Sequence, residues 1–563
     1  MSFKSLELVH LPLFKPIAEH TPDHERTYIS YQRAAAVVKI YGLTAVDVLQ
    51  FTQKFWNLHL DLVGALDCAA FTLMTIQINL AGGTLAPFAG KHLQYRKLLD
   101  QILNFDISAQ YLLTEVGHGL DAKNLETIAT MLPNGEFDLH TPKPSGAKIM
   151  PPAAPVKGFR RVGIVFARLI VSGEDRGIRP FITWLSDGEH MCDGVTAKLL
   201  PRRAASKPVD HAITTFTHVR LPKSALLGSL DKPKDMRKEF LSSIWRIRVG
   251  SVALPLQMIA GMKRGVFVAG KYSQRRHIFG PDQKPKPIIS FRTQHGPILH
   301  ALAQLSVFDA YAQHSIQYFK HPNVAAPVQH AIGAMLKAVL YKTSQACLFT
   351  LSERCGAQGL FENNHIIEAM LETRAMSIAE GDTLVLSIRL TSEILLNRYN
   401  MPPAKDPTSL LAKHEQGLLD ELRGMTRTIS GGHRGEGFDR LVLPRSQEFV
   451  EAMGHRIAYE AAIEAGVHSD LVALYEIWVI LQNQGWFVQH TSLTRERMFQ
   501  VEADRLSVVL PQLDTLLDAT GAEPYCSAPI ASQASWDHFV DQLETKTGSR
   551  TTNIDLLRGG AML

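Results

Sequence analysis

Cysteine is scarce in this chain. Only five occur in 563 residues, Cys68, Cys192, Cys347, Cys355 and Cys526, and no two form a CxxC pair. That excludes a disulfide-stapled scaffold and leaves reduced thiols inside a cell as the expectation. Long hydrophobic runs are also missing. The longest, Leu62 to Leu80, is interrupted by Asp67, Gln77 and Asn79, so it reads as a buried helix and not as a membrane span. Charge of one sign is not in great excess: 59 Lys and Arg against 54 Asp and Glu give a net charge of +5, spread along the chain. Without a basic cluster there is no case for nucleic acid, whereas a mildly positive surface suits an anionic substrate. The N-terminal stretch has no basic start followed by a sustained apolar core, so secretion is not expected. Ala561-Met562-Leu563 lacks the basic middle residue of a Ser-Lys-Leu peroxisomal address. A cytoplasmic protein is the default expectation, with the peroxisome left open. His20 and His24 sit near acidic residues but have no further ligands in reach of the sequence pattern, so no metal is expected.

What is present is ordinary globular composition, with 45% hydrophobic and 20% charged residues. At roughly one domain per 150 residues, the length calls for three or four domains and is enough to bury a large cofactor. Residues 1–107 carry helical periodicity, interrupted by the turn signals Ala81-Gly82-Gly83 and Pro87, and read as an all-helical domain. Residues 108–230 change to short β-branched runs, Arg161 to Val171, Pro180 to Leu185 and Ile213 to Leu221, which predict a small barrel or sandwich. Long helical stripes return over 231–400 and suit a four-helix-type bundle. A proline-rich boundary, Met401 to Ser409, precedes a further helical block over 401–563. The glycine-rich stretch Ser430 to Asp439 lacks GK[ST] and a preceding strand, so it reads as a connector and not a nucleotide loop.

Several short stretches invite chemistry. In TEVGHGLDAKNLET, Thr114 is followed by Gly117 and Gly119, which have no Cβ and let backbone N–H groups come close to a ligand. The same composition also makes a plain turn. Tyr272 to Gly280, YSQRRHIFG, contains Arg276, whose guanidinium could pair with a pyrophosphate or simply cap a helix end. Gln294 is a binding residue or a surface glutamine. Gly356 and Gly359 in RCGAQG either admit a ligand or stop a helix. Glu380 and Asp382 in AEGDT could supply a base or complement a helix N-terminus.

Taken together, these segments resemble acyl-CoA oxidases of the acyl-CoA dehydrogenase superfamily. TEVGHG…LET is similar to that family's TELGHG…LET, YSQRRHIFG to its Y…RxxFG, SFRTQHGPIL to a YQTQQYKL-type segment, RCGAQG to its CGGHG, and AEGDT to its EG(E/D)N. The resemblance covers roughly residues 30–400 with specific motifs. It implies an α+β protein with an N-terminal helical domain, a central β-barrel or sandwich domain, a helical bundle and the extra C-terminal helical domain typical of the oxidases. It implies FAD held by Thr114, Gly117, Gly119, Arg276, Phe279, Gln294, Gly356, Gly359 and Asp382, some of them from a neighbouring subunit, and hence a homodimer. Glu380 is then the catalytic base. A base that removes a proton α to a thioester needs a carboxylate raised toward neutrality by burial. The implied reaction is α,β-dehydrogenation of an acyl thioester, on CoA or a carrier protein, with O2 as electron acceptor. Arg246 and Arg248 in WRIRVG are candidates to anchor CoA, or are structural.

The pattern departs from the family in one place. From His140 the chain reads HTPKPSGAKIMPPA where the oxidases have an HTPTLTATKWWPGG-like segment. Ile149 and Met150 replace the aromatic pair, and Pro152, which has no N–H, replaces a glycine. Asp121 stands for the usual asparagine, and EGDT for EGDN or EGEN. The expectation is a retained flavin fold with a drifted substrate, as in specialised metabolism. The alternatives are a different flavin-dependent oxidation and a catalytically retired relative.

Overall fold

The computed structural model describes residues 3–548, 553 and 554, apart from Glu19, Lys91, Ser206, Pro208 and Pro281. The terminal Ala561-Met562-Leu563 lies outside the described residues. The chain begins with helices. Asp23–Tyr41 ends at Gly42 in the left-handed region (φ 55°), and Ala45–Gln50 starts on a reciprocal cap between Thr44 and Asp47. Then follow Gln53–Leu60, Val63–Leu66 and Cys68–Thr75.

Here the expected break at Ala81-Gly82-Gly83 and Pro87 does not occur. The helix continues from Cys68–Thr75 through a π-helical stretch, Ile76–Gly82, into Gly83–Ala89, with Pro87 inside it. Widening the helix frees main-chain carbonyls from the usual ladder. Other donors take them: Thr84 Oγ1 bonds Leu80 O at 2.7 Å, and Arg246 Nε, from a distant helix, bonds Asn79 O at 2.7 Å. Gly83 is required because a Cβ there would lie 2.1 Å from Arg246 Nε.

Strands take over at Ser108–Leu112. The larger sheet is built on the long strand Arg161–Val171, whose core-facing Val162, Ile164 and Phe166 are fully buried. Glu174–Ser186 pairs antiparallel along one side of it. The other side is shared in tandem: Ser108–Leu112 runs parallel to its first half (Leu112 opposite Val165), and Ile128–Met131 runs parallel to its second (Ile128 opposite Arg168). Residues 113–127 therefore leave the sheet edge and rejoin it, making a loop at the middle of the long strand. Phe137–His140 and Val219–Leu221 complete this sheet, and Lys148–Pro152, His211–Phe216 and Val195–Leu199 form a second. The expected strand Ile213 to Leu221 is split, because the chain bends at His218 (φ 52°) and crosses from one sheet to the other. The sheets enclose an apolar layer that includes Phe137, Phe181 and Phe216.

Helices return at Met236–Ser243 and continue through Arg246–Ala253, Leu256–Arg275, Arg292–Lys320, Ala326–Arg354, Ile366–Met376 and Thr383–Leu395. Among the later helices, Leu410–Thr428 and Ser446–Glu464 pack on each other, and Ser446–Glu464 also lies on Arg292–Lys320 and Ala326–Arg354. The Ser430 to Asp439 connector holds two left-handed glycines, Gly431 (φ 82°) and Gly432 (φ 57°). One apolar core runs through all the helical stretches, from Trp56 to Phe308 to Tyr475. Among the described residues two helical stretches, Cys68–Ala89 and Arg246–Arg275, are long and apolar enough to cross a membrane, but 89% and 94% of their apolar windows are buried inside the protein. All five cysteines are free thiols.

Candidate active site

The turn between helices Ile366–Met376 and Thr383–Leu395 carries Glu380. It is closed by Thr383, whose N–H and Oγ1 both donate to Ser377 O at 3.0 Å. Asp382 caps the second helix, its Oδ1 accepting from Leu384 N (3.0 Å) and Val385 N (3.1 Å). In this chain that carboxylate is engaged in its own helix. Glu380 and Gly381 are both left-handed, with φ of 55° and 103°. A non-glycine residue in that region is strained and persists only where the surroundings hold it.

The surroundings here come from three other elements. Helix Arg246–Ala253 presents Gly250, where a Cβ would fall 1.3 Å from Glu380 Oε2, so the glutamate lies flat on a glycine gap. Helix Ala326–Arg354 contributes Lys337, fully buried, whose Nζ donates to Ala379 O and Gly381 O at 2.6 Å each. Strand Ser108–Leu112 contributes Tyr111, which interacts electrostatically with both Glu380 and Arg246. Although Glu380 as a residue is only half-buried, its Oε2 is sealed from solvent and has no hydrogen-bond partner, and the Tyr111 hydroxyl is in the same condition. Burial pushes the Glu380 carboxyl up to about 8, against the opposing pull of Lys337 and Arg246.

Arg246 does not reach out toward a CoA phosphate. It is fully buried, with Nε on Asn79 O, Nη1 on Val48 O at 3.1 Å, and the aromatic faces of Trp245, Phe51 and Phe55 at 4.7, 5.1 and 5.6 Å from its guanidinium carbon. Cation–π contact and two carbonyls replace part of its hydration, its Nη2 is buried with no hydrogen-bond partner, and desolvation lowers it to about 9. Arg248 is only half-buried, and its Nε has no partner.

Two residues beyond Tyr111, the loop 113–127 begins. Lys148 and Glu115, both fully buried side chains 2.8 Å apart, pin it to the sheet. Lys148 Nζ also bonds Phe166 O (2.6 Å) and Leu113 O (3.3 Å), and Glu115 accepts from Glu126 N (2.6 Å) and Thr127 N (3.0 Å). Thr114 O accepts from Ile149 N at 3.0 Å. The two glycines differ. Gly117 N–H is already donated to Ser145 O at 2.8 Å, and a Cβ there would meet Ser145 Cβ at 2.9 Å, so this glycine serves the loop's own packing. Gly119 faces open space. Met150, in the segment that departs from the family pattern, is left-handed (φ 79°) and 39% exposed.

The remaining sequence candidates gather elsewhere. Arg276 ends helix Leu256–Arg275, is exposed, and makes no ion pair or side-chain hydrogen bond among the described residues. Phe279, 71% exposed, lies on the hairpin His277–Phe279/Pro285–Pro287. Gln294 accepts from Ser273 Oγ at 3.3 Å, and Arg354 donates to Thr293 O at 3.4 Å, which draws the end of helix Ala326–Arg354 alongside. Beyond it Gly356 (φ 59°) is open, whereas a Cβ on Gly359 would lie 2.0 Å from Ser352 O, so that glycine is needed for the helix to stop. This group sits past the far end of the 20-residue helix Leu256–Arg275, roughly 30 Å long at 1.5 Å per residue, relative to Gly250 and Glu380.

Sequence reasoning missed Tyr111, Lys337 and Gly250. Only Gly250 left a signal, a glycine inside a helical stripe; the other two look like ordinary core and surface positions until the chain is folded.

A sheet layer set against helical bundles, with the half-buried Glu380 turn at their junction, makes this an α+β protein of acyl-CoA oxidase-like architecture. The comparisons agree. A profile of the acyl-CoA oxidase C-alpha1 domain matches residues 244–395. Acyl-coenzyme A oxidase 2, peroxisomal, of Arabidopsis thaliana is 26% identical over 366 residues, covering 60% of this chain and 52% of that protein. The chain spans about half the length of several such curated relatives. Among solved structures, acyl-CoA oxidase1 from Yarrowia lipolytica superposes with a TM-score of 0.81 at 19% identity, over 99% of this chain and 92% of that one. Acyl-CoA oxidase-1 of Caenorhabditis elegans, solved with FAD and ATP, gives 0.70 at 16% identity, over 98% and 100%. The chain is acyl-CoA oxidase-like.

Proposed function

We propose that this protein is an FAD-dependent oxidoreductase that dehydrogenates an acyl thioester between Cα and Cβ, with Glu380 as the base. The observation that carries the reading is the Glu380 carboxylate: enclosed, unpaired at Oε2, laid on Gly250 and raised to about 8. A structural glutamate would be expected to have a partner. The residues also fit a flavin. Three orphaned polar atoms, Tyr111 Oη, Glu380 Oε2 and Arg246 Nη2, belong to side chains that interact electrostatically, and the open Gly119 lies on the loop that begins two residues after Tyr111. Bound FAD would supply the hydride acceptor, and O2 would reoxidise it with release of H2O2.

The chain's own residues supply the rest. Glu380 takes the α-proton as its carboxylate, at Oε2, the oxygen shielded from solvent. Lys148 and Glu115 keep the loop carrying Thr114 and Gly119 in register with the long strand. We assign Arg276, Phe279, Gln294 and Gly356 to the cofactor of a second copy, because the helix separates them from the Glu380 of their own chain. That makes the active unit a homodimer. Gly117, Gly359 and Asp382 act as loop, helix-stop and cap residues. The Arabidopsis relative is named a peroxisomal protein, and we extend that compartment to this chain.

The left-handed Met150 and the N–H-less Pro152 support an altered cover over the flavin, and with it a substrate outside the straight-chain acyl-CoAs. The experiment is to purify the full chain with FAD and mix it anaerobically with a panel of straight-chain, branched and oxygenated acyl-CoAs. Bleaching of the flavin by at least one of them, abolished in Glu380→Gln with FAD still bound, supports the assignment. Bleaching that survives Glu380→Gln moves the protein to another flavin oxidation, and a chain that takes up no FAD is a retired relative. H2O2 production on admitting air separates oxidase from dehydrogenase.

A further inference from the structure

Lys337 sits at the middle of helix Ala326–Arg354 between the buried Leu336 and Ala338, and it is itself fully buried. Lysines are almost never so placed unless a carboxylate pairs with them. Here none does within ion-pair distance among the described residues. Instead Nζ donates 2.6 Å hydrogen bonds to Ala379 O and Gly381 O, the carbonyls on either side of Glu380. An ammonium held on two neutral carbonyls is a poor structural bargain, since a methionine would fill the same space without the desolvation penalty. What the arrangement does is hold two successive left-handed residues at one fixed orientation and keep a positive charge beside the carboxylate between them.

We propose that Lys337 is the positioning residue for Glu380, clamping the turn that presents the carboxylate and supplying a positive charge beside it that favours its ionised form. The proposal rests on reading Glu380 as the base. The charged and titratable groups facing Glu380 are Lys337 from helix Ala326–Arg354, Arg246 from helix Arg246–Ala253 and Tyr111 from strand Ser108–Leu112; Asp382, next along the turn, acts on Lys337. Tyr111 is held neutral by burial, and Arg246 is anchored through Nε and Nη1 on Asn79 and Val48, with Nη2 unpartnered. Burial lowers Lys337 to about 8 while Glu380 and Asp382 pull it back up, so its charge is held by the two carboxylates and by the carbonyls of Ala379 and Gly381, and it titrates in the same range as Glu380. Removing it leaves Arg246 as the cation acting on Glu380 among the described residues and shifts the glutamate toward its protonated form.

The test compares full-length wild type with Lys337→Met and Lys337→Arg, and with Lys337→Gln as a donor-retaining variant should the methionine fail to fold. Two readouts are taken. The first is the titration of the Glu380 carboxyl in the cofactor-free protein by infrared difference spectroscopy, assigned against Glu380→Gln. The second is the pH profile of flavin reduction in the FAD-loaded protein. In Lys337→Met the Glu380 titration and the rising limb of the profile should both move up by about one pH unit, an approximately tenfold loss of rate on the acid side. Lys337→Gln should show the same direction, and Lys337→Arg should return the limb most of the way. An unmoved carboxyl titration in folded Lys337→Met or Lys337→Gln overturns the proposal. Because the infrared titration needs no turnover, a chain that fails to oxidise any acyl thioester would sink the proposed function and leave this measurement readable.

Discussion

Asn79 and Arg246, 167 residues apart, hold one another: the arginine Nε donates to the asparagine main-chain oxygen at 2.7 Å, and the asparagine Nδ2 donates back to the arginine main-chain oxygen at 3.3 Å. The exchange requires a π-helical stretch to free the Asn79 carbonyl and a glycine at 83 to admit the guanidinium. Gly83→Ala places a methyl 2.1 Å from Nε. It should destabilise the protein by about 1–3 kcal/mol, the usual range for overpacking a filled core, measured by denaturant unfolding. Since Arg246 acts on Glu380, the same variant should also raise the pH at which flavin reduction sets in.

Glu372, one helical segment before Glu380, gives a pH prediction of its own. It is buried beside Cys68, and burial lifts its carboxyl to about 7 even though Lys207 pulls the other way. Its Oε1 accepts from Lys207 N at 2.8 Å, and its Oε2 has no partner. A carboxyl whose folded value exceeds its unfolded one binds more protons in the folded state between the two. Stability from this group is therefore present in full below about 4.5 and is lost as pH rises through about 7. Glu372→Gln should be close to neutral at pH 5 and stabilising by about 1–3 kcal/mol at pH 8, an amount bounded by the size of the shift. Equal effects at the two pH values would refute it.

The Lys148 and Glu115 pair is the anchor of loop 113–127. Lys148→Met leaves Glu115 as an uncompensated buried charge and should cost about 3–5 kcal/mol. Loss of protection for the amides of Glu126 and Thr127, which bond Glu115, is the local readout by hydrogen exchange. The double variant Lys148→Met/Glu115→Gln should recover part of the stability, since it removes both charges together.

Arg276 has an exposed side chain with no ion pair or side-chain hydrogen bond among the described residues. If its partner is the cofactor's pyrophosphate in a dimer, Arg276→Ala should weaken FAD binding by about tenfold to a hundredfold, the scale of one or two charge-assisted hydrogen bonds, and leave the unfolding midpoint of the cofactor-free protein unchanged. Titration of the cofactor-free protein with FAD, read by flavin fluorescence, measures it. Unchanged affinity would remove Arg276 from the site.

Much of this architecture is legible in one dimension because the governing signals are local. Period-3.6 stripes and period-2 alternation mark where helix yields to strand and back, and the strand expected at Arg161 to Val171 is found with those bounds. The failures have non-local causes. Gly82, Gly83 and Pro87 carry the composition of a turn, yet they lie inside a helix because a side chain from residue 246 satisfies what they disturb. The stretch from Ile213 to Leu221 has one uninterrupted strand pattern, and nothing in it announces that the chain changes sheets at His218.

The amino-acid sequence on its own determined the order of helical and sheet layers, the oxidase-like motifs and the choice of Glu380, since each depends on residue type and spacing along the chain. Tertiary structure alone decided that Tyr111, Arg246, Gly250 and Lys337 surround that glutamate, that Gly117 and Asp382 have their polar groups engaged within their own segments, and that Arg276 lies at the far end of a long helix. The physical reason is that burial, unpaired atoms and electrostatic coupling belong to groups brought together from separate segments of the chain, and no pattern along a single segment encodes them.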